Sequence, residues 1–212
     1  YMDLRRGVKN LRIHDGCYTH MKLSVSGLAV TRSGRSVFSQ LGFTVSAGEV
    51  LALTGPNGSG KSTLLRVLAG LLPSNSGTID WSGGQEEVPL SEDAHYLGHR
   101  DALKPALTPI ELLTFWRSLL GRAATDPLSA LDQVGLAHTA HLPSAYLSAG
   151  QRRRLSLARL LVAHRPLWLL DEPTAALDQA SEKMFGALVA DHVTRGGLAL
   201  IATHAPLPIP TR

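Results

Sequence analysis

Lys61 and Ser62 close a run, Gly55-Pro56-Asn57-Gly58-Ser59-Gly60-Lys61-Ser62-Thr63, whose residue types suit the holding of a polyphosphate. Its glycines reach backbone angles that other residues resist, so successive N–H groups can turn inward on one anion. The apolar residues 50–54 before it predict a buried strand, and residues 61–69 after it a helix ended by Gly70. The start of that helix adds unsatisfied donors and the positive end of its dipole. In this context Lys61 reaches the β- and γ-phosphates, and the Ser62 hydroxyl is a hard oxygen ligand for Mg²⁺.

Two carboxylates, Asp171 and Glu172, end a second apolar run that starts at Leu167. In a parallel sheet ligands collect at the C-terminal strand edge, which brings both carboxylates beside the phosphate loop. Asp171 then suits Mg²⁺ through water, and Glu172 is placed to orient or deprotonate an attacking water. His204 follows Thr203 at the end of a third apolar run, 198–202, and so reaches the same edge to hydrogen-bond a γ-phosphate. Leu147-Ser148-Ala149-Gly150-Gln151 precedes a helix, with Ser148 a natural cap and a helix start able to receive an anion. Within one chain, however, this loop belongs to a helical region away from residues 55–63. Arg152, Arg153 and Arg154 read as a solvated helix face. His138 and His141 read as a surface pair, since no other ligand type joins them.

The elements that must position these groups alternate. Strands are expected at 22–30, 37–45, 50–54, 78–81, 167–170 and 198–202. Helices are expected at 61–69, 108–120, 148–164 and 181–194, the second capped by Thr108 with Pro109 in its first turn. That order implies a mostly parallel sheet covered on both faces, with residues 100–160 forming a helical side lobe. Residues 1–20 show neither period and begin with Tyr1; they read as an extension, with Met21 the expected natural start of the domain over 21–212.

Bulk properties narrow the class. A chain of 212 residues with 44% hydrophobic and 18% charged residues suits one α/β domain. The net charge of +4 is mild and scattered, which argues against nucleic acid as a partner. No apolar run reaches the roughly 18 residues of a membrane span, so work at a membrane would need a partner. The single Cys17 excludes an internal disulfide or a paired-cysteine zinc site and fits a reducing cytosol.

Together, residues 21–204 resemble the ATP-binding-cassette (ABC) ATPases. The resemblance implies a phosphate-loop NTPase fold with a mostly parallel core sheet, an antiparallel β subdomain and a helical lobe, binding ATP and Mg²⁺. It also implies a head-to-tail homodimer, in which Ser148, Ala149, Gly150 and Gln151 of one copy close on ATP held by the other. Ala175-Ala176-Leu177-Asp178 is similar to the family's dimer-contact loop, with Asp178 the residue of interest. Three positions depart from the pattern. Ala149 replaces the first glycine of the signature pair, and His99 stands where a glutamine usually helps hold Mg²⁺. Arg32 stands where an aromatic residue often stacks on adenine, a task its guanidinium plane could perform.

Residues 96–104, Leu107-Thr108-Pro109, Phe115-Trp116 and the segment from Leu147 to Asp178 resemble the cytochrome c maturation (haem export) branch of the family. That branch implies an integral membrane permease subunit, other cytochrome c maturation proteins as partners, and a peripheral place on the cytoplasmic face of a bacterial inner membrane. Direct contact with haem is not expected. The alternatives are an ATPase for another small-molecule or lipid exporter, a cassette acting on ribosomes or DNA, and a nucleotide sensor without catalysis. Two cassettes or a long coiled coil, usual in the second, do not fit this length, and Glu172 with His204 speaks against the third.

Overall fold

The computed structural model describes residues 21–83, 88–204, 206–207 and 209–211; the expectation made for residues 1–20 lies outside them. Among the described residues seven strands run in chain order as β1 (Lys22–Arg32), β2 (Arg35–Ser46), β3 (Val50–Leu53), β4 (Ser76–Ser82), β5 (Ala94–Leu97), β6 (Leu167–Asp171) and β7 (Leu198–Ala202). The helices are α1 (Lys61–Leu68), α2 (Leu90–Asp93), α3 (Pro109–Leu120), α4 (Pro127–Gln133), α5 (Ala149–Val162) and α6 (Gln179–Thr194). The four short strands form a parallel sheet in the order β3-β7-β6-β5, and β2-β1-β4 form a separate antiparallel sheet.

The period of two along the strands decides which layer each residue serves. Leu167 and Leu169 of β6, and Leu198, Leu200 and Ala202 of β7, join α1 and the antiparallel sheet in one core. Their neighbours Trp168, Leu170, Ala199 and Ile201 pack on the other face against Leu157 and Leu160 of α5 and Phe185 and Val189 of α6. A third apolar cluster, including Leu112, Leu131 and Leu155, gathers α3, α4 and α5 into the helical lobe. Thr108 and Glu111 form a reciprocal capping box at α3, with Pro109 in the first turn.

β5 and α4 had no bounds in the sequence reading. β5 is only four residues long and interrupts its apolar run with His95 and Tyr96, so no periodicity marks it. The register of the parallel sheet is what aligns the chemistry. Leu53, Ala202 and Asp171 are successive cross-strand partners, so three strands end flush. The segments carrying Gly55, His204 and Glu172 leave the sheet from that line. They are tied there by the Glu172 N–H donating to Ala202 O and the Thr203 N–H to Leu53 O.

Candidate active site

The flush edge opens into a cleft of about 580 Å³. Asn57, Gly58, Ser59, Gly60, Lys61, Ser62 and Thr63 line one side, with Asp171, Glu172, His204, His99, Val37 and Ala175 around them. Residues from four separate stretches of sequence therefore line one cleft. Arg32 does not reach the cleft; it is exposed on the β1–β2 hairpin, paired with Arg35. Ser148, Ala149, Gly150, Gln151 and Asp178 also lie outside the lining.

The phosphate loop is shaped by one close approach. Gly60 is the N-cap of α1, with φ 98°, and a Cβ there would meet Val37 Cγ1 at 2.8 Å. Only glycine adopts that angle cheaply and also clears the strand beside it. No side chain caps α1 and no acid stands in its first turn. By contrast Thr108, Asp126, Ser148 and Asp178 cap α3, α4, α5 and α6 with their own side chains. A bare helix start with free N–H groups facing a glycine loop is an anion site.

Lys61 is buried, and its Nζ donates to Gly55 O (2.7 Å) and Pro56 O (3.2 Å) of its own loop. His204 Nε2 is 3.4 Å from that ammonium and 3.2 Å from Glu172 Oε1. The nitrogen cannot serve both, since it must be bare to accept from Lys61 and protonated to donate to Glu172. The approach to Glu172 is a contact rather than an aligned hydrogen bond, because Oε1 is buried without a hydrogen-bond partner. Ser62 Oγ donates to Asp171 Oδ1 at 2.9 Å, and Asp171 Oδ2 is buried and unpartnered. Two hard oxygens side by side, one with free lone pairs in the cleft, fit Mg²⁺. Among the described residues no group of three His, Cys, Asp or Glu could hold a metal alone, so further ligands would have to be phosphate oxygens and water.

Glu172 has φ 49°, a left-handed angle unfavourable for its side chain. Its backbone is held by Arg153, which corrects the reading of residues 152–154 as a solvated face. Arg153 is only 3% exposed, and its guanidinium donates to the carbonyls of Asp171, Glu172, Pro173 and Gly98 and to Asp101. Arg152 donates to Leu147 O and Arg154 to Val134 O. A run of three charges reads as exposed by composition; here backbone carbonyls at loop ends draw the guanidinium groups inward. Val37, Arg153 and Asp101 were the residues that sequence reasoning missed. Only the Arg153 position carried a signal, since it falls among buried positions of α5.

The signature loop is satisfied internally. Ser148 Oγ accepts from the Gln151 N–H, and Gln151 Oε1 accepts from the Ser148 N–H. Asp178 Oδ1 accepts from the Ser181 N–H; hydrogen bonding from the Ser181 side chain, and then from its N–H, holds the Asp178 carboxyl below its ordinary value. His138 and His141 are exposed. Among the described residues no helix is long and apolar enough to cross a membrane.

A glycine-rich phosphate loop, an uncapped helix start and two adjacent carboxylates on one edge of a parallel sheet have the layout of a nucleotide triphosphatase. The chain belongs to the ABC transporter family, whose model matches residues 38–175, and is an ATPase. It is similar to the cytochrome c biogenesis ATP-binding export protein CcmA of Rhodopseudomonas palustris (strain BisB5), 58% identical over 91% of this chain and 96% of that protein. The protein of the same name from Bradyrhizobium diazoefficiens (strain JCM 10833 / BCRC 13528 / IAM 13628 / NBRC 14792 / USDA 110) is 56% identical over the same shares. Among solved structures, an ABC transporter ATP-binding protein from Pyrococcus furiosus superposes with TM-score 0.77 at 25% identity, covering 88% of this chain and 93% of its own.

Proposed function

We propose that the chain is the ATP-hydrolysing subunit of an ABC transporter serving cytochrome c biogenesis and haem export, built as one nucleotide-binding domain over residues 21–212 with a helical subdomain near 100–160. The observation that carries the ATPase chemistry is the convergence of Lys61, Ser62, Asp171, Glu172 and His204 on one cleft. The choice of pathway is supported by the similarity to proteins named for cytochrome c biogenesis over nine-tenths of the chain.

ATP binds with its phosphates on the N–H groups of Gly55–Thr63. Lys61 exchanges the carbonyls of Gly55 and Pro56 for phosphate oxygens, keeping an equivalent set of acceptors. Ser62 and Asp171 would hold Mg²⁺, which when bound supplies charge neutralisation at the β- and γ-phosphates. Glu172 accepts a proton from the attacking water or orients it, and His204 donates to the γ-phosphate from its place beside Glu172. Two copies close head to tail, so Ser148, Ala149, Gly150 and Gln151 of one complete the site of the other, with Asp178 at the contact. Hydrolysis reopens the pair. The work is delivered to an integral membrane permease on the cytoplasmic face of the inner membrane, together with other cytochrome c maturation proteins. His99 faces the cleft and acts through water or as a coupling residue rather than as a direct ligand. Arg32 would need the hairpin to close over adenine.

Deletion of the gene is expected to abolish c-type cytochromes, with recovery by the wild-type chain and none by Glu172→Gln. A deletion strain that keeps its c-type cytochromes would point to another exporter instead.

A further inference from the structure

Arg153 lies on α5, two residues beyond the loop that ends at Gln151, yet its guanidinium sits under the catalytic edge of the sheet. Nη2 donates to Glu172 O at 2.6 Å and Asp171 O at 3.1 Å, and Nε donates to Pro173 O at 3.0 Å. These three carbonyls belong to the residues that turn the chain away from β6, including Glu172 in its left-handed conformation. Nη1 faces the other way, donating to Gly98 O at 3.2 Å and Asp101 Oδ1 at 3.1 Å. Ser156, one turn further along α5, donates to Asp101 O at 3.2 Å. One planar, permanently charged fork therefore grips both the glutamate backbone and the segment that presents His99 to the cleft.

We propose that Arg153 is a positioning residue that fixes the Glu172 backbone for hydrolysis and couples its placement to the Gly98–Asp101 segment of the helical lobe. The role rests on Glu172 serving as the water-positioning group, as proposed above. The strained φ of Glu172 persists only if its surroundings hold it, and at its side chain Oε1 has a contact with His204 but no aligned hydrogen bond. The grip is instead on main-chain oxygens, which a five-donor fork satisfies and an ammonium cannot satisfy in the same plane. A shift of the Gly98–Asp101 segment would pull on the same guanidinium and so move the glutamate, while Lys61 and the phosphate loop stay put.

The test is steady-state ATP hydrolysis and ATP binding by the full chain with its membrane partner, for wild type, Arg153→Lys, Asp101→Asn, His99→Ala and the Arg153→Lys/His99→Ala double variant. Because positioning errors near 1 Å cost about 100-fold in turnover, Arg153→Lys is expected to lower kcat by about 10- to 100-fold. ATP KM should stay within about twofold, since ground-state binding lies on another loop. Asp101→Asn should lower kcat less, also at constant KM, and His99→Ala should cost less in the Arg153→Lys background than in wild type. Wild-type kinetics for Arg153→Lys, or a parallel loss of kcat, KM and melting temperature, would overturn the role. Should Arg153→Lys not fold, Asp101→Asn decides alone, with wild-type kcat counting against the coupling. A wild-type protein without ATP turnover would defeat the proposed function itself, a distinct result from an active Arg153→Lys protein.

Discussion

At one edge of the parallel sheet Asp171 Oδ2 and Glu172 Oε1 are buried without hydrogen-bond partners. At the opposite edge, where the same strands begin, buried polar side chains are engaged. Asp93, wholly buried, accepts from Trp81 Nε1 at 2.8 Å and pairs with Arg122 at 2.5 Å. His95 Nε2 is 2.9 Å from Ala163 O, and His192 stacks on Trp168 with its Nε2 near Pro166 O and Leu198 O. Arg165 leaves its Nε unpartnered there, but its other nitrogens donate to four carbonyls, those of Ser91, Glu92, Ala94 and Leu120. The far edge holds the fold together, whereas the near edge keeps acceptors bare for a ligand. Buried polar groups normally find partners, so an orphaned pair of carboxylate oxygens on a cleft wall marks where function outweighs stability.

The contrast can be broken with a matched pair of substitutions. Asp171→Asn should lower ATP turnover by about 100-fold or more, since it removes the anionic oxygen proposed to hold Mg²⁺. Its melting temperature without nucleotide should be unchanged or higher, because the amide still accepts from Ser62 and replaces the orphaned oxygen with a neutral group. Asp93→Asn should do the reverse: turnover within a few-fold of wild type, and stability lower by about 2 kcal/mol from the broken, mostly buried ion pair. Equal loss of stability from both would erase the difference between the edges.

The histidines of the far edge sharpen it through pH. Burial lowers His95 to about 3 and His192 to about 4. Unfolded, both titrate near 6.5, so between those values the unfolded chain binds protons that the folded chain refuses. Their contribution is fully present above about pH 6.5 and is lost as pH falls toward 4. Urea unfolding at pH 5 should show stability about 2–4 kcal/mol below that at pH 7, and His192→Phe should flatten the slope. An identical midpoint at the two pH values would contradict neutral burial. The smallest effect belongs to neither edge. Arg195→Ala removes an exposed pair to Asp191, whose side chains are 76% and 59% exposed, and should cost less than about 0.5 kcal/mol.

Much of this was legible in the sequence because its signals are local. The glycine loop, the apolar run ending in two acids, and Thr108 before Pro109 each state a backbone geometry within a few residues. That these strands are buried in a parallel sheet follows from their being apolar on both faces, whereas the register that aligns Leu53, Asp171 and Ala202 is visible only in the structure. What escaped depends on contacts between distant segments. Val37 becomes part of the cleft only because Gly60 lets β2 approach. Arg153 is 55 residues from Gly98 in the sequence, and nothing in a run of three arginines says which one turns inward. The Ser148–Gln151 loop, likewise, spends its hydroxyl and amide on capping α5, a use that its residue types alone leave open.

Glu172, held at this edge with an unpartnered carboxylate oxygen, is proposed to position the water that attacks ATP. The most direct test of that role is single-turnover ATP hydrolysis by purified Glu172→Gln protein with its membrane partner, alongside a measurement of ATP binding. Loss of one such transition-state contact is worth about 3–4 kcal/mol, so the rate should fall by about 100- to 1000-fold while ATP is still bound with near wild-type affinity. Hydrolysis at the wild-type rate would contradict the assignment.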